Sequence, residues 1–490
     1  MTDKFNRRPL TLHERFSLTR QTIGHPTIIT AALSYPSATA APSPAYLRER
    51  ITTLQAHFPL LYAQLHDVET RAPYFLPRDA PWQPDAIFAE APLAGDSDDE
   101  LGAAINQELY RFERADLWAG PLWSVRLLHA DSGAAYLVLS TMHTIVDGRG
   151  TQLLLLALAG QPEQLPTDSW NDFTRADDTI NIKPSLGFLL PVAWRELVFP
   201  KLPWMVQSVL SYTPLRGTSP VWPLVEEAAD APKNPSPIDC QSETRFVSLE
   251  PALLDALKER GKAEGVSTLH PLLEAAVFAA MWAVLAPTDA TETFWVEVST
   301  PRSERSEALG HAYCMGNYVS SQPFTSGLKP QDKYWDLARA VSAFNKSESG
   351  IASGRMQMGL LLHVPDPEPA PTAEHPERKI TGWETFFTTK ARGANPYTSS
   401  ACLSNLGFTK LPPGAESVAW AQTADALSSA LSMSAIGSAG GLRIATSWKA
   451  GAIVEEKTLL RLHEVFEGVL RRVVDAGTEA LTLQQATAAK

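Results

Sequence analysis

Cysteine is scarce: Cys240, Cys314 and Cys402 stand far apart in a chain of 490 residues. An odd, dispersed set builds no disulfide framework, and all three read as reduced and buried. Long apolar runs are missing as well. The most hydrophobic stretch, 185–224, is interrupted by Arg195, Glu196, Lys201 and several prolines before it reaches the about 18 residues that a membrane span needs. The opening MTDKFNRRPL carries charges but no apolar signal core, and the closing Ala488-Ala489-Lys490 is not a peroxisomal address. An intracellular, cytoplasmic protein is expected, with organelle association left open. Positive charge is in deficit, 42 Lys and Arg against 54 Asp and Glu, a formal net charge of -12. That balance argues against non-specific nucleic-acid binding and leaves room for a local basic patch facing a phosphorylated co-substrate.

Several catalytic devices are absent too. There is no G-x-S-x-G elbow, no P-loop and no strand-linked G-x-G-x-x-G, so serine-hydrolase, nucleotide-hydrolase and nicotinamide chemistries lack their usual scaffolds. His270 with Glu274, and His463-Glu464 with Glu467, sit at helical spacing. Neither completes H-E-x-x-H and neither has a cysteine cluster beside it, so surface or interface roles are expected and no metal.

What is present describes a large globular chain: 44% hydrophobic and 20% charged residues, enough for two or three structural units with a substantial core. Its most informative stretch is Thr141-Met142-His143-Thr144-Ile145-Val146-Asp147-Gly148, an H-x-x-x-D-G sequence after an apolar run. Residues 134–142 read as a buried strand, which places His143 at a strand end where an imidazole can face a cavity. A neutral imidazole, with an unperturbed pKa of about 6.5, suits proton removal from an alcohol or amine. The Asp147-Gly148 pair reads as a tight turn that swings the carboxylate towards an internal partner. The residues alone fit equally a structural histidine in a turn.

Organisation follows from periodicity. A first lobe, 1–178, holds a helix over 43–58 with a Leu47, Ile51, Leu54 and Phe58 stripe, a shorter helix over 101–112 and another from 150 to 158. Residues 179–241 form an apolar, Trp- and Pro-rich connection containing Trp194, Trp204 and Trp222. It reads either as a bridge packed between lobes or as a surface that touches a membrane or admits an acyl chain. The second lobe, 242–490, has strands at 243–247, 294–299 and 401–404, helices at 253–263 and 267–285, a hairpin of 433–436 with 442–448, and a closing amphipathic helix over 455–474. Residues 365–376 (PDPEPAPTAEHP) read as an exposed loop.

The turn Asp131-Ser132-Gly133 between two strands, followed by His143, resembles the corresponding part of the HxxxD acyltransferase superfamily. This superfamily includes chloramphenicol acetyltransferase, plant-type acyltransferases, fungal alcohol acetyltransferases and peptide-synthetase condensation domains. His57-Phe58-Pro59-Leu60-Leu61, Ser299-Thr300-Pro301-Arg302, Met315-Gly316-Asn317-Tyr318-Val319 and Leu403-Ser404-Asn405-Leu406-Gly407 are similar to its further segments, in the family's order. Met142 stands where condensation domains carry the first histidine of H-H-x-x-x-D-G, and the plant-type D-F-G-W-G is absent. The resemblance is therefore greatest to free-standing fungal alcohol acetyltransferases and fungal glycolipid or secondary-metabolite O-acyltransferases.

The resemblance implies an α/β (α+β) fold of two chloramphenicol-acetyltransferase-like lobes with a tunnel between them. It implies an acyl-CoA-dependent O-acyltransferase with acyl-CoA as co-substrate, no bound cofactor, and a hydrophobic or amphiphilic acceptor such as a mannosylerythritol lipid. His143 would be the general base. Asp147, Gly148 and Arg302 would support the loop, Asp147 pairing with Arg302, for which Arg305 is the nearest rival. Ser404 and Asn405, placed after a short strand, are candidates for an oxyanion or acceptor pocket, or simply a turn. The implied partners are acyl-CoA and a hydroxylated small molecule or lipid, with no nucleic acid, no transmembrane span, peripheral membrane contact and a monomeric state. Two other readings stay open: a condensation-like enzyme using a carrier-bound thioester, and a non-catalytic lipid-binding protein of the same fold.

Overall fold

A computed structural model describes residues 7–113, 119–161, 164–167, 175–210, 221–223, 236–287, 293–305, 315–393, 396–476 and 480–488. The first half of the chain supplies strands β1 (Ile28–Tyr35), β2 (Phe88–Leu93), β3 (Trp123–Ala130) and β4 (Ala135–Met142). The second half supplies β5 (Ser242–Leu249), β6 (Phe294–Ser303), β7 (Val319–Leu328), β8 (Ser399–Phe408), β9 (Ser417–Gln422), β10 (Ser429–Ser438) and β11 (Gly441–Lys449). The helices that matter most for the site are α1 (Leu12–Thr22), α2 (Pro44–His57), α3 (Asp98–Glu113), α4 (Gly148–Leu158), α5 (Leu269–Leu285) and α6 (Glu456–Asp475).

Two mixed sheets result. The first is five-stranded, in the order β9-β1-β4-β3-β2, and the second six-stranded, in the order β7-β6-β8-β10-β11-β5. β4 lies at the centre of the first, paired antiparallel with β1 and β3, and every one of its residues is buried. That explains its unbroken run of small and apolar residues: a strand covered on both faces has no reason to alternate. The two sheets are not a simple division of the chain. β9 belongs by position to the 242–490 half, yet it forms the edge of the first sheet beside β1, and Trp420 enters the first core.

Local chemistry accounts for the helices. Ser43 caps α2 by accepting from the Tyr46 N–H, Pro44 occupies the first turn, and Leu47, Ile51 and Leu54 are buried as one stripe. α5 is buried along most of its length in the second core, against α6. The sequence reading misses α1, β1 and β9. It also underestimates several strand lengths.

The 179–241 connection departs from a packed bridge. Leu186–Ala193 and Trp204–Leu210 are helical with no buried residue, and Leu186, Leu190, Leu197, Trp204, Met205 and Val209 are exposed. Trp222 is anchored by its backbone to Trp295, and residues 211–220 and 224–235 lie outside the described residues. No helix among the described residues is long and apolar enough to cross a membrane. The cysteines divide: Cys402 is buried and Cys240 only half-buried, both free thiols, so the expectation of three buried cysteines is corrected at Cys240. Cys314 lies outside the described residues.

The helical histidines resolve as framework. His463 is buried on α6 with Nε2 2.8 Å from the Thr446 hydroxyl, while Glu464 pairs with Arg461 and Glu467 with Arg471. His270 meets Thr300 at 3.0 Å and Glu274 at 3.2 Å, on the buried side of α5. Burial pushes the His463 pKa down to about 4. A histidine of depressed pKa leaves the unfolded chain binding the extra proton between pH 6.5 and 4, so stability is lost as pH falls through that window, at up to about 1.4 kcal/mol per pH unit. His463→Gln, which keeps a partner for Thr446, is expected to flatten the dependence of the urea midpoint on pH between 6.5 and 4.

Candidate active site

His143 follows the last residue of β4, and its N–H donates to the Thr27 carbonyl at 2.9 Å. This fixes the point at which the chain leaves the sheet. The chain then turns, Ile145 N–H donating to Met142 O at 3.1 Å, and Asp147 becomes the N-cap of α4 with Oδ1 accepting from Gly150 N–H at 2.9 Å. The Asp-Gly pair is therefore a helix start and not a tight turn. Gly148 sits at a close approach: a Cβ there would lie 3.1 Å from the Trp420 ring of β9 and 3.6 Å from Leu406 of β8.

The Asp147 carboxylate is fully engaged. Arg305 Nη1 donates to Oδ1 at 2.7 Å and Oδ2 at 2.6 Å, and Tyr318 N–H donates to Oδ2 at 2.9 Å. Arg305 is also stacked over the Tyr318 ring, at 5.0 Å from its centroid. Burial alone would raise the Asp147 pKa. The Arg305 charge and these hydrogen bonds win, and hold it below the ordinary carboxylate value.

The partner arginine differs from the expected one. Arg302 lies inside β6, opposite Ser320 of β7, with its side chain 40% exposed and its nearest carboxylate Glu304 at 3.7 Å. The strand runs on to Ser303, so the arginine that crosses to the loop carrying His143 is the one beyond the strand end, Arg305. Ser404 and Asn405 likewise lie within β8 and not after it, opposite Ser434 and Ala435. Asn405 Oδ1 accepts from Gly407 N–H at 2.8 Å, and the far end of β8 reaches α4, where Gln152 Nε2 donates to the Thr409 hydroxyl. Among the described residues, neither Ser404 nor Asn405 hydrogen-bonds His143.

Two residues not singled out individually complete the surroundings of the imidazole. Asn317 is buried, and its Nδ2 lies 3.0 Å from His143 Nδ1 and 3.2 Å from the His143 carbonyl oxygen. Its Oδ1 lies 3.4 Å from Nδ1 of His13 on α1. Gly316 before it has φ of 128°, a conformation suited to glycine, and Val146 bridges to it. α1 is held at its start by a capping box of Thr11 and Glu14, with Arg8 making a buried two-bonded pair to Glu14 at 2.9 and 2.8 Å. At its end Arg20 pairs with Asp425 at 3.2 Å. The T-x-x-E spacing of Thr11 and Glu14 is the sequence signal that announces this helix.

Desolvation, then the Arg20 charge and His13, push the His143 pKa down to about 4 against the opposing pull of Asp147. The imidazole is half-buried and neutral at physiological pH. Such a group can accept a proton. Asp147, fully occupied elsewhere, orders the loop. Among the described residues no cluster of His, Cys, Asp and Glu could hold a metal ion.

No family model matches the sequence, and no curated relative matches it either. The fold, in contrast, is shared with solved structures over almost the whole chain. The condensation domain of the monacolin K polyketide synthase MokA aligns with a TM-score of 0.61 at 10% identity, covering 97% of this chain and 99% of that one. The first condensation domain of the calcium-dependent antibiotic synthetase, solved in complex with a substrate analogue, aligns with a TM-score of 0.56 at 16% identity over 98% of both chains. The epimerization domain from the third module of tyrocidine synthetase B gives 0.51 at 15% identity, covering 96% and 98%. The protein thus has the two-lobed condensation-domain fold.

Removing either member of the Asp147–Arg305 pair strands a buried charge. Asp147→Ala and Arg305→Ala are each expected to cost about 3–5 kcal/mol, whereas Arg302→Ala should cost less than about 1 kcal/mol. Urea denaturation of the three variants checks this ordering.

Proposed function

We propose that the protein is an acyl-CoA-dependent O-acyltransferase in which His143 is the general base. The observation that carries this reading is a neutral, half-buried imidazole at the end of a central strand, held by a loop whose own carboxylate is committed to Arg305 and backbone donors. His143 removes the acceptor's hydroxyl proton as the oxygen attacks the thioester carbonyl. The tetrahedral intermediate then collapses with cleavage of the C–S bond, and the departing thiolate takes the proton from the imidazolium. Acyl-CoA and acceptor meet directly, so no covalent acyl-enzyme forms and no cysteine is needed as nucleophile. Ser404 and Asn405 are proposed to shape the acceptor side, near the β8 end that lies over α4, and Gly148 to let that helix start approach β9.

The acceptor is proposed to be hydrophobic or amphiphilic, a glycolipid hydroxyl above all. The exposed apolar side chains of 186–210 support this. Arg195 and Lys201 outnumber Glu196 there, a small local positive balance in a chain of net charge -12. That combination suits contact with an anionic lipid surface, from which such an acceptor would be drawn. A carrier-bound donor is the second reading, favoured by the condensation domains among the structural neighbours.

The test is CoA release from acetyl-, hexanoyl-, decanoyl- and palmitoyl-CoA with alcohols, sugars and glycolipids. Acceptor-dependent release that falls about 10²- to 10⁴-fold in His143→Ala supports the reading. Turnover only with a carrier-bound thioester would favour the second one, and ligand binding without any turnover would favour a binding protein. With His143 titrating at about 4, kcat/KM should be level from pH 6 to 8 on the acid side, where an unperturbed histidine would already lose activity. Trp204→Ser with Val209→Ser is expected to reduce co-sedimentation with vesicles containing anionic phospholipid and to leave turnover of a water-soluble alcohol unchanged.

A further inference from the structure

The Asn317 amide joins two histidines: its Nδ2 lies 3.2 Å from the His143 carbonyl oxygen, and its Oδ1 lies 3.4 Å from Nδ1 of His13 on α1. A carbonyl oxygen only accepts, so the nitrogen end of the amide faces His143 and the oxygen end faces His13. The amide oxygen only accepts as well, so Nδ1 of His13 carries its proton towards Asn317. Burial, then the Arg20 charge, push the His13 pKa down to about 4, which leaves that ring neutral at physiological pH. A neutral imidazole has a single N–H, and Nε2 of His13 is therefore bare. His143 reaches the same state by another route: its ring hydrogen-bonds its own backbone, towards which only Nδ1 can turn.

Two bare ring nitrogens thus stand at one site, on rings close enough for a charge on His13 to lower the His143 pKa. Among the described residues no group hydrogen-bonds Nε2 of either ring. Both residues are half-buried, and neither Nε2 counts among the buried unpartnered atoms, unlike Nδ1 of His25. Taking the proton from one hydroxyl needs only one imidazole. The second is held just as deliberately: Arg8 and Glu14 lock the start of α1, and Asn317, 2% exposed, fixes the ring through Nδ1. We propose that His13 is a substrate-contacting residue whose Nε2 accepts a hydrogen bond from a second hydroxyl of the acceptor, while the hydroxyl to be acylated lies at Nε2 of His143. This rests on the reading of His143 as the general base and narrows its acceptor to a polyhydroxylated headgroup, a sugar or a polyol, in preference to a simple alcohol. His13 gives and takes no proton in the transfer. It orients the headgroup, so that one hydroxyl among several is presented to His143.

The experiment compares hexyl β-glucoside with 1-hexanol in the full-length protein, wild type, His13→Asn, His13→Gln and His13→Phe. The side-chain amide of His13→Asn stands in for Nδ1 and its bond to Asn317 but puts nothing at the place of Nε2, whereas that of His13→Gln reaches that place with an oxygen. The ratio of kcat/KM for the glucoside to that for hexanol should fall roughly 10-fold in His13→Asn and His13→Phe, and remain near the wild-type value in His13→Gln. A framework role alone would survive His13→Asn, so an unchanged ratio in that variant overturns the proposal. ¹⁵N NMR of the histidine rings supplies a readout that needs no acyl donor. His13 in the free wild type should be protonated at Nδ1, and its Nε2 resonance should move on adding hexyl glucoside but not hexanol. A proton on Nε2, or an Nε2 resonance indifferent to the glucoside, also overturns the contact. A glucoside-dependent shift in a protein that releases no CoA would sink the acyl-transfer reading and leave the contact standing, whereas acyl transfer with the same ratio in His13→Asn would do the reverse.

Discussion

The Asp147–Arg305 ion pair is the constraint on which the site depends. It joins residues 158 apart in sequence, with both side chains almost wholly removed from water. Such a pair gains little net stability over an apolar contact of the same shape, because desolvating two charges offsets most of their attraction. Its effect is geometric. Two N–H···O bonds from one guanidinium nitrogen, a third from Tyr318 N–H and a fourth from Gly150 N–H leave the carboxylate one orientation. The loop that carries His143 is thereby tied to the far half of the chain at the point where α4 begins.

The same arrangement explains what Asp147 does not do. A carboxylate within hydrogen-bond reach of the imidazole would raise its pKa and trap the protonated form. Here Asp147 acts on His143 only through space, and burial, Arg20 and His13 outweigh it. The buried arginine of α1 is itself neutralised by Asp425, which keeps its field over the histidines moderate. The imidazole is left with a polar but uncharged immediate partner, Asn317.

Much of this is legible in the sequence, for reasons that differ by element. β4 and α2 can be read correctly because each satisfies a local rule: an apolar run bounded by a turn, and a Ser-Pro start with a single apolar stripe. His143 and Asp147 stand out because their spacing is itself local. Arg302 is preferred over Arg305 only while strand length is underestimated, and a strand that runs four residues further carries its arginine past the loop. The contacts of Asn317 with His143 and with His13 are invisible, since nothing in a local pattern says which side chains 174 or 304 residues apart will meet. β1 escapes the reading despite being central, and β9 because a strand lent across the two sheets follows no chain-order logic. The exposed 186–210 segment reads as apolar, correctly, but hydrophobicity along a sequence does not reveal whether the surface that would cover it belongs to the same molecule.

The borrowed strand also bears on how this protein comes into being. β9 pairs with β1 along its full length, and its Trp420 stands against Gly148 at the start of α4. During synthesis the first sheet must therefore wait, with β1 as an unpaired edge, until more than four-fifths of the chain has left the ribosome. The first sheet is completed, and Gly148 meets Trp420, only once this late segment has been made. A chain cut before β9 leaves β1 as an open edge, available for pairing with another strand.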